Sequence, residues 1–407
     1  MKGTRFPSRL GELDAALMTN LLSEQHPVVQ VANVRVADRS YRGDGSASTA
    51  DRVTLDIEYV DGRDAGLPTR MICKAVLLDK RLRFGPSAIQ MTGTLLRSLG
   101  QLPFGDSARS WTFAAIRAYQ KRYPHAPDAM YRNEVRFYRE VRPKLEIEAP
   151  RAFSSVYDDD ARTFGILMED LSLRSAIFPN ATMQQSGDRL RQLLATLAAL
   201  HSAFWESPRL DTDLRWVATP RSGGMYPVFQ ALGLDIVRNQ LEHNPFKADL
   251  IAPLGRSVEE LWAALWGLQA RLDSSPRTLL HGDPHIGNTY LLPDGGAGFL
   301  DWQLMVKGRW AHDVTYVIVT GLAVEDRRAM ERELLSFYLD ELRRHGVPSP
   351  PSFDDAWADY RRTVAWGLVI GWLITPPENY GERVTSANIE RLVQAAVDLE
   401  TFDLIGR

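Results

Sequence analysis

A single cysteine, Cys73, stands in 407 residues, so the chain cannot close a disulfide on itself and a reducing compartment is its expected setting. No sign of charge dominates either: 48 Lys and Arg stand against 51 Asp and Glu, for a net charge of -3. Nucleic-acid binders usually carry a basic footprint, so no nucleic-acid partner is expected. Long apolar runs are missing too. The nearest to one, Val364 to Thr375, is short for a membrane span and holds two Trp and two Gly. The opening residues, MKGTRFPSRLGELDAAL, are basic but lack an apolar core followed by a cleavage site. Together these absences predict a cytoplasmic protein with no membrane partner. Internal repeats and low-complexity tracts are absent as well.

What is present is ordinary globular composition, 44% apolar and 24% charged. The length suits about two or three cores. Ser8 is placed to cap a first helix carrying Leu10, Leu13, Leu17 and Leu21. Strands are predicted at Val28 to Val36, Val53 to Tyr59 and Met71 to Val76, close enough together for an antiparallel meander. Leu77 to Pro127 shows no clear period. A helix follows around Asp128 to Val141, then strands at Arg151 to Tyr157 and Thr163 to Met168. Beyond Leu171 helical spacing dominates. One interruption predicts short strands at Thr278 to Leu280, Thr289 to Leu292 and Gly298 to Trp302. The reading is an α+β chain: a β-rich lobe over residues 1–170, with an insert at 77–127, then a helical lobe over 171–407.

The chemistry concentrates in His281-Gly282-Asp283-Pro284-His285-Ile286-Gly287-Asn288, with Asp301-Trp302-Gln303 downstream. Phosphoryl transfer needs a carboxylate to orient the acceptor hydroxyl and take its proton. It also needs oxygen ligands that hold Mg²⁺ against the phosphates. Asp283, Asn288 and Asp301 supply that set. One tight loop presents Asp283 and Asn288 together, and the turn at Pro293-Asp294-Gly295-Gly296 returns Asp301 beside Asn288. Singly, each residue reads as a cap or a turn former.

HGDPHIGNTYLL followed by FLDWQ resembles the signature of the aminoglycoside phosphotransferase and choline kinase superfamily. The resemblance extends from about Val28 to Leu339. It implies a bilobal protein-kinase-like fold and an ATP- and Mg²⁺-dependent transfer to a hydroxyl of a small molecule. Asp283 would be the base, Asn288 and Asp301 the Mg²⁺ ligands, His281 a brace of the loop and Asp313 its support. His201 would pack beneath.

The N-terminal lobe extends the match. Lys74 lies in an apolar strand, where an unpaired charge is costly. Its predicted partner is Glu134, between Tyr131 and Tyr138 on one helix face, and the pair would meet the ATP phosphates. The small-residue turn Gly43 to Ser48 sits where a phosphate-covering loop belongs, with Ser46 and Ser48 as candidate contacts. Met168 and Glu169 fall in a segment resembling the adenine-binding hinge. A nucleotide-binding pseudokinase is the alternative. A protein kinase proper would have Arg after His281 and a later Ala-Pro-Glu. A metal hydrolase would use His281, Asp283 and His285.

The acceptor is less legible. Trp216, Met225, Tyr226 and Phe229 suggest a bulky, partly apolar molecule. The ecdysteroid-kinase-like and acyl-CoA-linked branches resemble the chain as well as the resistance enzymes do. Trp262, Trp266, Trp366 and Trp372 read as core, and Trp302 or Trp310 as a wall of the acceptor pocket.

Overall fold

An aspartate starts the first helix. α1 (Ala15–Ser23) begins at Asp14, whose carboxylate accepts from the Leu17 N–H at 2.8 Å. Ser8 does not cap it, because Leu10–Glu12 forms a separate 3-10 turn that ends before the helix. The computed structural model describes residues 5–40, 50–77, 128–222, 225–273 and 277–405. Ser46, Ser48 and the insert from residue 78 onward lie outside the described residues.

Period-two alternation then builds a sheet from β1 (Val31–Ser40), β2 (Asp51–Tyr59) and β3 (Arg70–Ala75). Val53, Leu55 and Ile57 of β2 and Met71 and Cys73 of β3 share one core with Met18, Leu21 and Leu22 of α1. After α2 (Ala129–Arg136) come β4 (Ala152–Asp158) and β5 (Thr163–Glu169). The sheet has the order β1-β2-β3-β5-β4, antiparallel throughout. It departs from a simple meander because β5 enters beside β3 and leaves β4 at the edge. α2 packs on the other face, where Tyr131 stacks on Phe164 at 4.4 Å and Ser155 donates to the Val135 carbonyl at 2.9 Å.

The second unit is mainly helical. It comprises α3 (Gly187–Phe204), α4 (Leu234–His243), α5 (Pro245–Ile251) and α6 (Val258–Leu272). A small β insert follows: β6 (Thr278–Leu280), β7 (Thr289–Leu291), β8 (Ala297–Phe299) and β9 (Val306–Gly308). Then come α7 (Ala311–Gly321), α8 (Val324–Arg344), α9 (Phe353–Trp366), α10 (Glu382–Asp398) and α11 (Thr401–Ile405). Leu190, Leu193, Leu194 and Leu197 of α3, spaced to share one face, are buried. Contacts divide the chain into Met1–Lys144 with Pro150–Ser175, and Leu145–Ala149 with Ala176–Arg407. Among the described residues, no helix is long and apolar enough to cross a membrane.

Candidate active site

The catalytic-type loop hangs from a β insert and is held from below. β6 leads into it and pairs with β9, while β7 and β8 form a hairpin with Thr289 opposite Phe299. The Leu300 N–H donates to the Asn288 carbonyl at 2.8 Å, which brings Asp301 round beside Asn288. The strand stops at Phe299 because Asp301 turns left-handed, at φ 62°. Such a conformation is uncommon for a side-chain-bearing residue and tends to mark functional loops.

Asp313 anchors the loop from α7. Its carboxylate accepts from the His281 N–H at 2.7 Å and the Gly282 N–H at 3.0 Å. His201 of α3 meets it at 3.2 Å and reaches the Tyr338 hydroxyl at 2.7 Å with its other ring nitrogen. Burial works to raise the Asp313 carboxyl, but the His201 hydrogen bond opposes it and the pKa is held low. Gly282 has φ 87°, and a Cβ there would lie 2.0 Å from the Leu304 carbonyl oxygen. Only glycine fits that turn.

His281 is enclosed and braces the loop. Its Nε2–H donates to the Leu300 carbonyl at 2.8 Å, and Nδ1 accepts from the Asp283 N–H at 3.3 Å. Burial keeps it neutral by lowering its pKa. His285 likewise uses both nitrogens. Nδ1 accepts from the Gly287 N–H at 3.1 Å, and Nε2 faces the Tyr380 hydroxyl at 3.2 Å. Among the described residues no three His, Cys, Asp or Glu side chains gather as metal ligands, so the His-Asp-His hydrolase reading has no support.

Asp283 sits where this scaffold points, with 19% of its side chain exposed. Asn288 donates through Nδ2 to the Asp283 carbonyl at 2.9 Å and to its carboxylate at 3.1 Å. That fixes the amide and turns Oδ1, the acceptor atom, away from those bonds. Gln303 donates to Asp301 at 3.2 Å. Burial, followed by the Asp301 charge, pushes the Asp283 carboxyl well above the usual carboxylate range. Two neighbouring carboxylates beside an oriented amide oxygen make a hard oxygen donor set that suits Mg²⁺.

In the β-rich unit, Lys74 Nζ lies 2.8 and 2.6 Å from the two carboxylate oxygens of Glu134. Lys74 points off β3 toward α2, opposite Cys73, whose thiol burial pushes up to about 12. The predicted pair is therefore in contact, with 8% and 1% of the side chains exposed. Met168 pairs across the sheet with Ile72 and Ala152. Glu169 turns its carboxylate to the Arg151 N–H at 2.7 Å, and its own N–H donates to the Arg151 carbonyl at 2.9 Å.

Two expectations fail. Trp302 and Trp310 are wholly enclosed, Trp302 against His281 and Trp310 stacked on Tyr338, so neither walls a pocket. Conversely Trp262, Trp266 and Trp366 are only partly buried, because they meet one another at one side of the helical unit. Two residues of the site, Tyr380 and His312, were not singled out from the sequence. His312 donates from Nε2 to the Gly282 carbonyl at 2.9 Å, and its place beside Asp313 was the available signal.

A model of the phosphotransferase enzyme family matches residues 106–354. A kinase-like protein of Caenorhabditis elegans, itself uncharacterized, is 28% identical over 88 residues, which span 21% of this chain and 23% of that protein. Solved structures also align. The aminoglycoside phosphotransferase of Streptomyces rimosus is 14% identical, covering 85% of this chain and 95% of its own, with a TM-score of 0.39. A choline kinase of Streptococcus pneumoniae is 13% identical, covering 92% and 98%, with a TM-score of 0.40.

Proposed function

The chain belongs to the phosphotransferase enzyme family, and on that premise we propose that it moves the γ-phosphate of ATP to a hydroxyl of a bulky, partly apolar small molecule. The observation that carries this is the Asp283, Asn288 and Asp301 arrangement on a loop anchored by Asp313. Asp283 accepts the proton of the acceptor hydroxyl. The oxygen it frees forms the new bond to the γ-phosphorus, the bond to the bridging oxygen breaks, and ADP leaves with that electron pair. The raised Asp283 pKa favours taking up a proton. Asn288 and Asp301 would hold Mg²⁺, which neutralises phosphate charge when bound. Lys74, fixed by Glu134, contacts the α- and β-phosphates. Met168 and Glu169 would lie at the adenine end.

ADP release from Mg·ATP, with and without a panel of sugar, sterol and acyl alcohols, tests this reading. Asp283→Asn should mainly lower the transfer rate, and Asp301→Ala should weaken Mg·ATP binding. Folded variants that keep wild-type turnover would refute the assignment. Nucleotide binding with no transfer to any acceptor would favour a pseudokinase.

A further inference from the structure

Five aromatic side chains gather in the helical unit: Tyr226, Phe229, Trp262, Trp266 and Trp366. Trp266 is the hub, with ring centroids at 5.2 Å to Tyr226, 5.7 Å to Trp262, 6.1 Å to Trp366 and 6.4 Å to Phe229. All five are partly exposed, whereas Trp302, Trp310 and Trp372 of the same unit are enclosed. Aromatic rings gain most when fully removed from water. Five of them left partly exposed at one place are incompletely enclosed by the core.

The backbone around the cluster is unusual as well. π-type turns run over Phe229–Gly233 and Gly367–Leu373, one starting at Phe229 and the other directly after Trp366. Such turns are rare and gather at functional sites. Gly233 is part of the same construction, since a Cβ there would lie 2.2 Å from the Trp262 ring. A larger residue would lift that ring off the turn.

One side chain joins the cluster to the reacting loop. Trp366 packs on His312 at 4.9 Å, and His312 holds the carbonyl of Gly282, the residue before Asp283. Two acidic side chains of the neighbouring helices, Glu259 and Asp235, both pair with Arg238, at 2.7 and 2.8 Å. A polycationic ligand would find these two carboxylates already paired with Arg238.

We propose that this cluster seats the ring system of the phosphate acceptor, and that the acceptor is a neutral, flat, apolar alcohol. This deepens the phosphotransferase reading and rests on it. The rings supply stacking surface, and Trp366 links them by way of His312 to the loop that carries Asp283.

The test uses the full chain and three probes, 2-naphthylethanol, choline and kanamycin, each titrated by ligand-observed NMR in the presence of Mg·ADP. Mg·ADP binding is measured separately by calorimetry. Saturable binding of the naphthyl alcohol alone is expected, weakened about tenfold in Trp266→Ala and in Phe229→Ser. Circular dichroism and a cooperative melt establish that each variant folds. If Mg·ADP binds but the naphthyl alcohol does not, or binds both folded variants as well as wild type, the inference is overturned and the phosphotransferase reading stands. Choline or kanamycin binding that is lost in Trp266→Ala overturns the neutral class. Failure of Mg·ADP to bind brings down the phosphotransferase reading, and the acceptor role with it.

Discussion

His285 makes its bonds in two directions from an enclosed position. Its Nδ1 caps the turn Ile286–Asn288, and its Nε2 faces the Tyr380 hydroxyl. Because Nδ1 accepts from a backbone N–H, the proton of the neutral ring sits on Nε2. Burial pushes the pKa down to about 3, which keeps the ring neutral across the physiological range. The capped turn carries Asn288, so His285 acts as a positioning residue behind a proposed metal ligand. Outer partners of this kind typically contribute about 10- to 100-fold in metal affinity. His285→Ala should therefore weaken Mn²⁺ binding to the ADP complex by about tenfold, read by electron paramagnetic resonance. His285→Asn should retain much of the affinity, since an amide oxygen can also cap the turn. Equal Mn²⁺ affinity in wild type and His285→Ala would refute the role. The Lys74–Glu134 pair allows a second prediction at this scale. Removing one partner of a buried pair leaves a bare charge, at a cost of about 3–5 kcal/mol, whereas replacing both with apolar residues costs far less. Glu134→Ala should thus lower the urea midpoint more than Lys74→Met with Glu134→Leu does. The opposite order would mean that the pair is not what holds this site.

At the scale of elements, turns decide what the strands can do. Gly282 combines a positive φ with a carbonyl where its Cβ would be. Gly282→Ala should cost more than about 2 kcal/mol, because the left-handed penalty of about 1–2 kcal/mol adds to a clash with fixed backbone. Chemical denaturation would show it, and a loss below 1 kcal/mol would indicate that the loop readily rearranges. Asp14→Ala, removing the cap of α1, should cost about 0.5–2 kcal/mol. The same turns explain what could be read beforehand. β2 was legible because Val53, Leu55 and Ile57 alternate with polar residues and one face is buried. The Lys74–Glu134 contact was legible because a lysine in an apolar strand calls for a partner. β9 (Val306–Gly308) was missed, being short, partly exposed and without alternation. The end of β8 was misplaced because the left-handed turn at Asp301 is fixed by tertiary bonds and leaves no period in the sequence. How far the aromatic cluster is enclosed was not legible for a similar reason. Helical spacing places Trp262 and Trp266 on one side of α6, but does not say whether that side is closed over.

At the scale of the whole molecule, the buried cations in the helical unit hold distant segments together. Lys247 of α5 is fully enclosed. Its ammonium donates toward Gln240 at 3.2 Å and toward the carbonyls of Trp372, Leu373 and Thr375 at 3.3, 3.2 and 2.6 Å. It therefore ties α5 to the end of the helical run that begins with α9, 125 to 128 positions away in the chain. That run carries Trp366, the last residue of α9, and near its end Trp372, against His285. Burial lowers the Lys247 pKa from 10.5 to about 7, while Glu378 works in the opposite direction. The sign of the consequence follows from proton counts. Between pH 7 and 10.5 the unfolded chain keeps a proton on this amine that the folded chain has released. Unfolding free energy must then rise with pH across that window, by at most about 1.4 kcal/mol per unit from this group. Below pH 7 both states are protonated and the contribution is flat. Other groups titrate in the same range, so the comparison is with Lys247→Met, which lacks only this one. The stability difference, wild type minus variant, should increase steadily from pH 7 to pH 9 in urea unfolding. A difference that stays constant would show that the surrounding carbonyls hold Lys247 charged throughout. The amine would then be a permanent cationic clamp rather than a titrating one.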